Sequence, residues 1–162
     1  MRNSKFFSIG LFILVVVGIL VSFSTVSKQS EVGVKGRNIT VDGRRYLIKG
    51  ICYHPVPKGS DKRDFDNLTQ DLELMVEAGI NTIRVYEPIK EEKILDEINK
   101  AGIKIILGFG YDQGGVFDIK SGSYIDYVNQ YKDHEAILMW ELGNEYNYHP
   151  EWFGEDIKNW YA

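Results

Sequence analysis

NTIRVYEPIKEEKILDEINKAGIKIILGF (residues 81–109) holds one complete strand–helix–strand unit. Residues 81–87 are rich in β-branched side chains, residues 91–101 place apolar side chains at helical spacing, and residues 103–109 form a nearly continuous apolar run. Strands of parallel sheets are covered on both faces and therefore read as continuous apolar runs. The stretch predicts two parallel strands joined by a right-handed helical crossover.

The same alternation of strand and helix extends on both sides of this unit. Upstream, Asp42-Gly43 predicts a hairpin turn within residues 38–48, whose second arm continues as a strand over residues 46–53. The other predicted elements are a helix over residues 65–78 (Leu68, Leu72, Met75 and Val76 at core spacing), a helix over residues 124–131 and a strand over residues 136–142. Four strands separated by three helices predict an α/β fold, either a doubly wound sheet or a (β/α) barrel. No Gly-x-Gly-x-x-Gly motif follows the first strand, which argues against a doubly wound sheet that binds a dinucleotide.

Composition excludes several classes of protein. The 162 residues are 44% hydrophobic and 26% charged, with a net charge of −4, which is typical of a globular protein and unlike a nucleic-acid binder. A single cysteine, Cys52, excludes an internal disulfide framework and a cysteine-based zinc site, and its apolar surroundings predict a small core residue. The three histidines show no metal-ligand spacing. We therefore expect no metal.

The N-terminal residues 1–27 read as a targeting segment. Arg2 and Lys5 precede an uncharged run over residues 6–26, which is long enough to cross a bilayer as a helix. The basic start favours export of the remaining residues 28–162, so we expect an extracytoplasmic protein that is secreted or anchored to the membrane. The alternative is a buried hydrophobic helix of a soluble core. Cleavage and retention of the segment both remain open.

Polar and aromatic side chains follow the predicted strands where each one ends. In parallel α/β architectures, these carboxyl ends converge on one face. Phenol rings can stack on sugars, and amide, guanidinium and carboxylate groups can hydrogen-bond to hydroxyls. The side chains at this rim include Tyr53, His54, Arg84, Tyr86, Tyr111, Asn144 and Glu145.

Four segments together carry a family resemblance. YLIKGICYHP, AGINTIRVYEP, AGIKIILGFGY and HEAILMWELGNE resemble the first half of clan A glycoside hydrolases, which are retaining (β/α)8 TIM barrels. The similar members are mannanase- and cellulase-like, β-galactosidase-like and β-1,3-glucanosyltransferase-like enzymes. The match covers about residues 38–152. The resemblance implies an α/β fold that is the N-terminal half of a TIM barrel, with about four β/α units, preceded by the hairpin and the hydrophobic helix.

The resemblance also assigns roles to individual residues. It implies that Glu145 is the general acid/base, that Asn144 binds the sugar hydroxyl beside the cleaved bond, and that Arg84 positions the catalytic carboxylates. It places Tyr53, Tyr86 and Tyr111 where subsite residues are often found. It implies an oligo- or polysaccharide substrate with β-linkages and no cofactor.

Retaining hydrolysis needs a second carboxyl group about 5–5.5 Å from the first. Glu141 is four residues before Glu145 on the same strand, roughly 13 Å away, and is expected to be structural. The family places the nucleophile on a seventh strand, which the four predicted strands do not include. We therefore expect a fragment, a truncated reading frame, or a product that pairs with the missing C-terminal half-barrel, and we expect the chain to be inactive alone. The alternatives are a noncatalytic carbohydrate-binding half-barrel and a doubly wound enzyme domain.

Overall fold

The computed structural model describes residues 30–110, 117–145 and 148 of the chain. The segment predicted to be a signal peptide or membrane anchor, residues 1–27, lies outside these residues, so that prediction stays open. Within the described ranges, no helix combines the length and apolar character that crossing a bilayer requires.

The described residues form two β-sheets and three helices. In the first sheet, three antiparallel strands lie in the order β1-β2-β3; in the second, four parallel strands lie in the order β4-β5-β6-β7. The strands are β1 Val32–Lys35, β2 Asn38–Val41, β3 Arg44–Tyr46, β4 Gly50–Cys52, β5 Thr82–Val85, β6 Lys104–Phe109 and β7 Ile137–Leu142; the helices are α1 Leu68–Glu77, α2 Glu92–Lys100 and α3 Tyr124–Tyr131. The mixed α/β prediction is confirmed.

The predicted hairpin forms, but its second arm is shorter than expected. Asp42 and Gly43 have φ angles of 52° and 72°, and positive φ at both central residues is the geometry of a type I′ turn. The prediction of one continuous strand over residues 46–53 is wrong. Strand β3 ends at Tyr46, and the next strand, β4, belongs to the other sheet. Asn81 holds the chain at this break: its side chain accepts a hydrogen bond from the Lys49 N–H at 2.8 Å and donates one to the Leu47 carbonyl at 2.9 Å.

The parallel sheet runs in sequence order, with no reversal among its four described strands. Such an order is expected of a barrel segment, whereas a doubly wound sheet reverses its order at a switch point. The strand β1, which pairs with β2, was not predicted from the sequence. Its residues are mostly exposed, so it lacks the buried pattern that identifies the other strands.

Strand alternation divides the parallel sheet into two chemically different faces. Ile83, Val85 and Leu107 are fully buried against the helices and form the centre of the core. Residues of the opposite parity, including Arg84 and Cys52, lie side by side on the other face. Cys52 is exposed, so its prediction as a core residue is wrong, and the reason is this alternation.

The helices bury the faces that their apolar spacing predicts, with one exception. Ile94, Leu95 and Ile98 of α2 are buried, as are Tyr127 and Tyr131 of α3. Helix α1 begins at Leu68, three residues later than predicted, and buries Leu68, Leu72 and Met75. Val76 was predicted to share that face but is 49% exposed, because it lies one helical step past the buried stripe.

Candidate active site at the carboxyl ends of the parallel strands

The centre of the candidate site is an ion pair between Arg84 and Glu141. Arg84 Nε donates to Glu141 Oε2 and Arg84 Nη2 donates to Glu141 Oε1, both at 2.7 Å. The two side chains are 24% and 29% exposed, so the pair is largely withdrawn from water. The hydrogen bonds to Glu141 raise the pKa of Arg84 above its ordinary value, although desolvation opposes the shift. A bidentate guanidinium–carboxylate pair of this kind fixes the plane of both groups.

This pair crosses an intervening strand. Arg84 belongs to β5 and Glu141 to β7, and β6 lies between them. Gly108 of β6 is in register with Glu141, and a Cβ atom built on it would lie 3.4 Å from Glu141 Oε2 and 3.1 Å from the Val85 carbonyl. A Cβ atom would thus just touch the carboxylate and would crowd the Val85 carbonyl, so a side chain larger than alanine would obstruct the path of the carboxylate across the strand to the guanidinium.

The chain turns sharply after β7 and brings Asn144 to the same guanidinium. Gly143 has φ 91° and its N–H donates to the Phe109 carbonyl at 3.1 Å, which ties the turn to β6. Arg84 Nη2 then donates to Asn144 Oδ1 at 2.8 Å. Arginine only donates hydrogen bonds, so the oxygen of the Asn144 amide must face it. The Asn144 Nδ2 group therefore points away from Arg84 and can donate to a ligand.

Glu145 follows at the exposed end of the turn. Its backbone has φ 52°, in the left-handed region, and its carbonyl accepts a hydrogen bond from the Tyr148 N–H at 2.9 Å. The residue is exposed, and none of the described residues forms a hydrogen bond or ion pair with its carboxylate. Non-glycine residues with this conformation are uncommon and cluster at functional sites. A carboxyl group here is accessible to a molecule bound at this end of the sheet.

Tyr86 and Cys52 complete the cluster around Arg84. The guanidinium carbon lies 4.4 Å from the centre of the Tyr86 ring, a cation–π contact. Interaction with the Tyr86 hydroxyl lowers the pKa of Cys52, and interaction with Cys52 raises the pKa of Tyr86. Arg84 Nη1 is 4.0 Å from the same sulfur. We call Cys52, Arg84, Tyr86, Glu141 and Asn144 the Arg84 cluster.

Two of the predicted tyrosines do not join this cluster in the described structure. Tyr53 is buried on the helix-facing side of the sheet, where its hydroxyl donates to Asp71 Oδ2 at 2.7 Å and its ring packs against Phe65. Burial, followed by the hydrogen bond to Asp71, raises the pKa of Tyr53. Tyr53 is therefore a core residue rather than a subsite residue, because it follows Cys52 by one position and faces the opposite way. Tyr111 lies outside the described residues.

An open cleft of about 770 Å³ meets the cluster at Tyr86 alone. Tyr86 forms part of its wall, together with His54 and Glu87 from the ends of neighbouring strands. Arg63 shapes this wall by donating to the backbone carbonyls of Glu87 and Pro88 at 2.9 and 2.7 Å. Among the described residues, no group of three His, Cys, Asp or Glu side chains is arranged to hold a metal ion.

The role of Gly108 was not predicted from the sequence. Its signal was a single glycine inside the apolar run of residues 103–109, and an isolated glycine in a strand marks a bulge or a close approach. The nature of that approach depends on which residues lie opposite, and this requires the strand register.

Comparison with known proteins finds a likeness to glycoside hydrolases in sequence and in fold. In sequence, the chain is 24% identical over 147 residues to a β-galactosidase of Arthrobacter sp. (strain B7), covering 76% of this chain and 14% of that protein. It is 22% identical over 134 residues to a β-galactosidase of Alteromonas mediterranea, covering 74% of this chain and 13% of that protein. No protein-family model matches the chain.

Solved structures extend the likeness to the fold. A GH2 β-galacturonidase from Eisenbergiella tayi bound to galacturonate matches with a TM-score of 0.58 at 24% identity, over 78% of this chain and 25% of that one. A β-glucuronidase from Parabacteroides merdae matches with a TM-score of 0.55 at 24% identity, over 72% of this chain and 15% of that one. By fold, the chain is similar to part of a GH2 glycoside hydrolase. It spans about a seventh of the length of its curated relatives.

Proposed function

We propose that the chain supplies the acid/base side of the active site of a retaining glycoside hydrolase or transglycosylase that acts on β-linked glycans. In this proposal the parallel sheet is the first half of a TIM barrel. The observation that carries it is the contact between Arg84 and Asn144, with Glu145 next to Asn144, at the carboxyl ends of the parallel strands β5 and β7. The likeness to β-galactosidases supports the same reaction class.

Each group has a definite part in the reaction. Asn144 donates from Nδ2 to a hydroxyl of the sugar, and it can do so because Arg84 holds its oxygen. Glu145 protonates the glycosidic oxygen as the bond to the leaving group breaks, and then removes a proton from the incoming water or hydroxyl. A second carboxylate attacks the anomeric carbon; the resemblance assigns it to the seventh strand of a complete barrel.

Sugar binding is the first test. The full chain is titrated with methyl β-galactoside and methyl β-glucoside while the side-chain amide signals of 15N-labelled protein are followed by NMR. We expect the Asn144 amide signal to shift and the affinity to fall at least about fivefold in Asn144→Ala, because one hydrogen bond is lost. Asn129→Ala, on the exposed side of α3, is the matched control. An Asn144 signal that no β-glycoside moves would refute the proposal.

The acid/base role is tested in a chimera. The matched segment of the Arthrobacter β-galactosidase is replaced by residues 38–152 of this chain, so that the remaining barrel supplies the other groups. We expect Glu145→Ala to slow hydrolysis of an alkyl β-galactoside by about 100-fold or more, and to slow a dinitrophenyl β-galactoside far less, because that leaving group needs little proton assistance. Equal losses on both substrates would contradict the assignment. Binding by the full chain that is unaffected by Glu145→Gln, together with a chimera without turnover, would favour a noncatalytic glycan-binding domain.

A further inference from the structure

The connection between β5 and α2, residues 86–91, is anchored along its length by side chains from other elements. One donor is Arg63, from the segment after β4, and the others are two tyrosine hydroxyls of α3. Four consecutive backbone carbonyls of the connection accept these hydrogen bonds: Glu87 and Pro88 from Arg63 at 2.9 and 2.7 Å, Ile89 from Tyr127 at 2.6 Å, and Lys90 from Tyr131 at 3.3 Å. A connection held at four successive residues has a fixed course, whereas loops are in general more mobile than the elements they join.

Arg63 anchors this connection with a charge that is largely withdrawn from water. Its side chain is 12% exposed, and desolvation lowers the pKa of its guanidinium below the ordinary value. A buried charge is unfavourable unless hydrogen bonds and an opposite charge compensate for the lost water. Here Nη1 and Nη2 each donate to a carbonyl, the Phe65 ring centre lies 5.2 Å from the guanidinium carbon, and the Glu87 carboxylate is 3.9 Å away. These contacts commit the guanidinium to the protein itself rather than to a ligand in the cleft.

The carbonyls that Arg63 holds directly follow Tyr86, whose ring covers Arg84. Side chains alternate along a strand, so Tyr86 emerges at the end of β5 on the same face as Arg84. The centre of its ring lies 4.4 Å from the Arg84 guanidinium carbon. Glu87 precedes a proline, which restricts its backbone to extended conformations. The backbone after Tyr86 therefore has little freedom while Arg63 is in place, and the ring is held over Arg84.

We propose that Arg63 is a positioning residue of the candidate site, because it fixes the Tyr86 ring over Arg84 through two backbone carbonyls. The consequence for sugar binding rests on the proposed function. Arg84 holds the Asn144 oxygen at 2.8 Å only while its guanidinium keeps its orientation, and the Tyr86 ring limits movement out of that plane on one side. Loss of Arg63 therefore frees Tyr86 first and weakens the orientation of the Asn144 amide as a result.

Cys52 reports the position of Tyr86 without any sugar. It is the single cysteine of the chain, it is exposed, and interaction with Tyr86 lowers the pKa of its thiol. In Arg63→Met we expect this pKa to rise by about half a unit, so that iodoacetamide alkylates Cys52 about threefold more slowly at pH 7. Arg63→Met should have no further effect in a chain that carries Tyr86→Phe, where the interaction is already lost.

The matched control for this comparison is Tyr131→Phe. It removes the longest of the four hydrogen bonds, at the end of the connection that is remote from Tyr86. We expect Cys52 in this variant to react at the wild-type rate. All variants are compared under conditions in which circular dichroism shows them to be folded, because an unfolded chain would also return the Cys52 pKa to its ordinary value.

A measurement on the wild-type chain decides the question even if Arg63→Met does not fold. Hydrogen bonds from both Nη groups slow the rotation of the Arg63 guanidinium, so 15N NMR should resolve separate Nη1 and Nη2 signals for this residue. The exposed Arg45 is the control and should give one averaged signal. An averaged signal at Arg63 would overturn the proposal, and so would a folded Arg63→Met whose Cys52 reacts at the wild-type rate.

Sugar titration separates this inference from the proposed function. We expect Arg63→Met to weaken the binding of methyl β-glucoside, followed at the Asn144 amide signal, by about threefold. If no β-glycoside binds the wild type, the proposed function is wrong, and alkylation of Cys52 still decides whether Arg63 positions Tyr86. If β-glycosides bind the wild type and Arg63→Met equally well, the proposed function stands and the role of Arg63 in sugar binding is overturned.

Discussion

Replacing Gly108 with alanine tests whether this glycine makes room for the ion pair above it. The new Cβ atom would lie 3.1 Å from the Val85 carbonyl oxygen, 3.4 Å from Glu141 Oε2 and 3.5 Å from the Tyr86 Cα. The Val85 carbonyl belongs to a strand whose position is fixed by its register with β6, so it cannot withdraw freely. The carboxylate can move, but only by loosening its contact with Arg84.

Two opposing contributions determine how much Gly108→Ala changes the free energy of unfolding. Overpacking of a filled site costs about 1–3 kcal/mol. Replacing glycine by alanine restricts the unfolded chain and returns about 0.4–1 kcal/mol. We therefore expect Gly108→Ala to lower the free energy of unfolding by about 1–2 kcal/mol. For a folded unit of roughly 100 residues, this corresponds to a fall in Tm of about 5–15 °C.

Urea denaturation, followed by the fluorescence of Trp140 in a chain that carries Trp152→Phe and Trp160→Phe, measures this change. Trp140 is a suitable probe because it stacks on Phe109, next to Gly108, with ring centres 5.8 Å apart. The matched control is Gly33→Ala in β1, whose Cβ would meet only the Thr40 hydroxyl oxygen at 3.3 Å, on a side chain that can rotate. We expect the control to change stability by less than about 0.5 kcal/mol.

A double-mutant cycle with Glu141→Ala separates the two contacts. If Gly108 makes room for the carboxylate, then Gly108→Ala should cost less when that carboxylate is absent, with a coupling energy of at least about 0.5 kcal/mol. The destabilisation that remains without the Glu141 carboxylate comes from the contact of the new Cβ atom with the Val85 carbonyl. A coupling energy of zero would refute the view that the glycine serves the ion pair, and a Gly108→Ala variant as stable as the wild type would refute the steric argument as a whole.

Three further predictions concern other residues. Tyr86→Phe should raise the pKa of Cys52 towards its ordinary value, so that iodoacetamide alkylates the variant more slowly than the wild type between pH 7 and 9. Glu145→Gly should be more stable than Glu145→Ala by about 1 kcal/mol in urea, because alanine keeps the cost of positive φ and glycine does not. Tyr53→Phe should lower stability by about 1 kcal/mol at pH 7 through loss of the hydrogen bond to Asp71. The pKa of Tyr53 is higher in the folded chain than its ordinary value of about 10. The stability that Tyr53 contributes is therefore complete below about pH 10 and falls as the pH rises further. Plots of the free energy of unfolding against pH for the wild type and for Tyr53→Phe should converge in alkaline urea titrations.

Local sequence patterns predict the helices and parallel strands well because each pattern has its own physical cause. Apolar spacing fixes α2 and α3, and continuous apolar runs fix β6 and β7. The break after Tyr46 is different, because there the Tyr46 hydroxyl and the Lys49 N–H both donate hydrogen bonds to Asn81, which lies 35 residues beyond Tyr46. Local propensity carries no information about such a contact.

Some features of the candidate site could likewise be predicted from the sequence, and others could not. Arg84 and Asn144 were predicted to lie at one rim, and the structure brings them into contact at 2.8 Å. Tyr53 was placed there because it ends a strand, but a residue next to Cys52 must face the other side of the sheet. The alternation of side chains along a strand was sufficient to exclude it. The contact of Glu141 with Gly108 required the register between β6 and β7, which no pattern in the sequence specifies.

The ion pair itself is evidence about the order of the strands. Arg84 and Glu141 are 57 residues apart in the chain, and they meet across one intervening strand, which corresponds to about 9–10 Å between their backbones. Two long side chains that approach each other can cover this span, but they could not cover another strand. If β5 and β7 lay on opposite sides of a switch point, the guanidinium would lose Glu141 and, with it, the fixed position from which it holds Asn144. The orientation of the proposed sugar-binding amide therefore depends on the consecutive strand order, so loss of the Arg84–Asn144 contact in solution would count against the topology as well as the site.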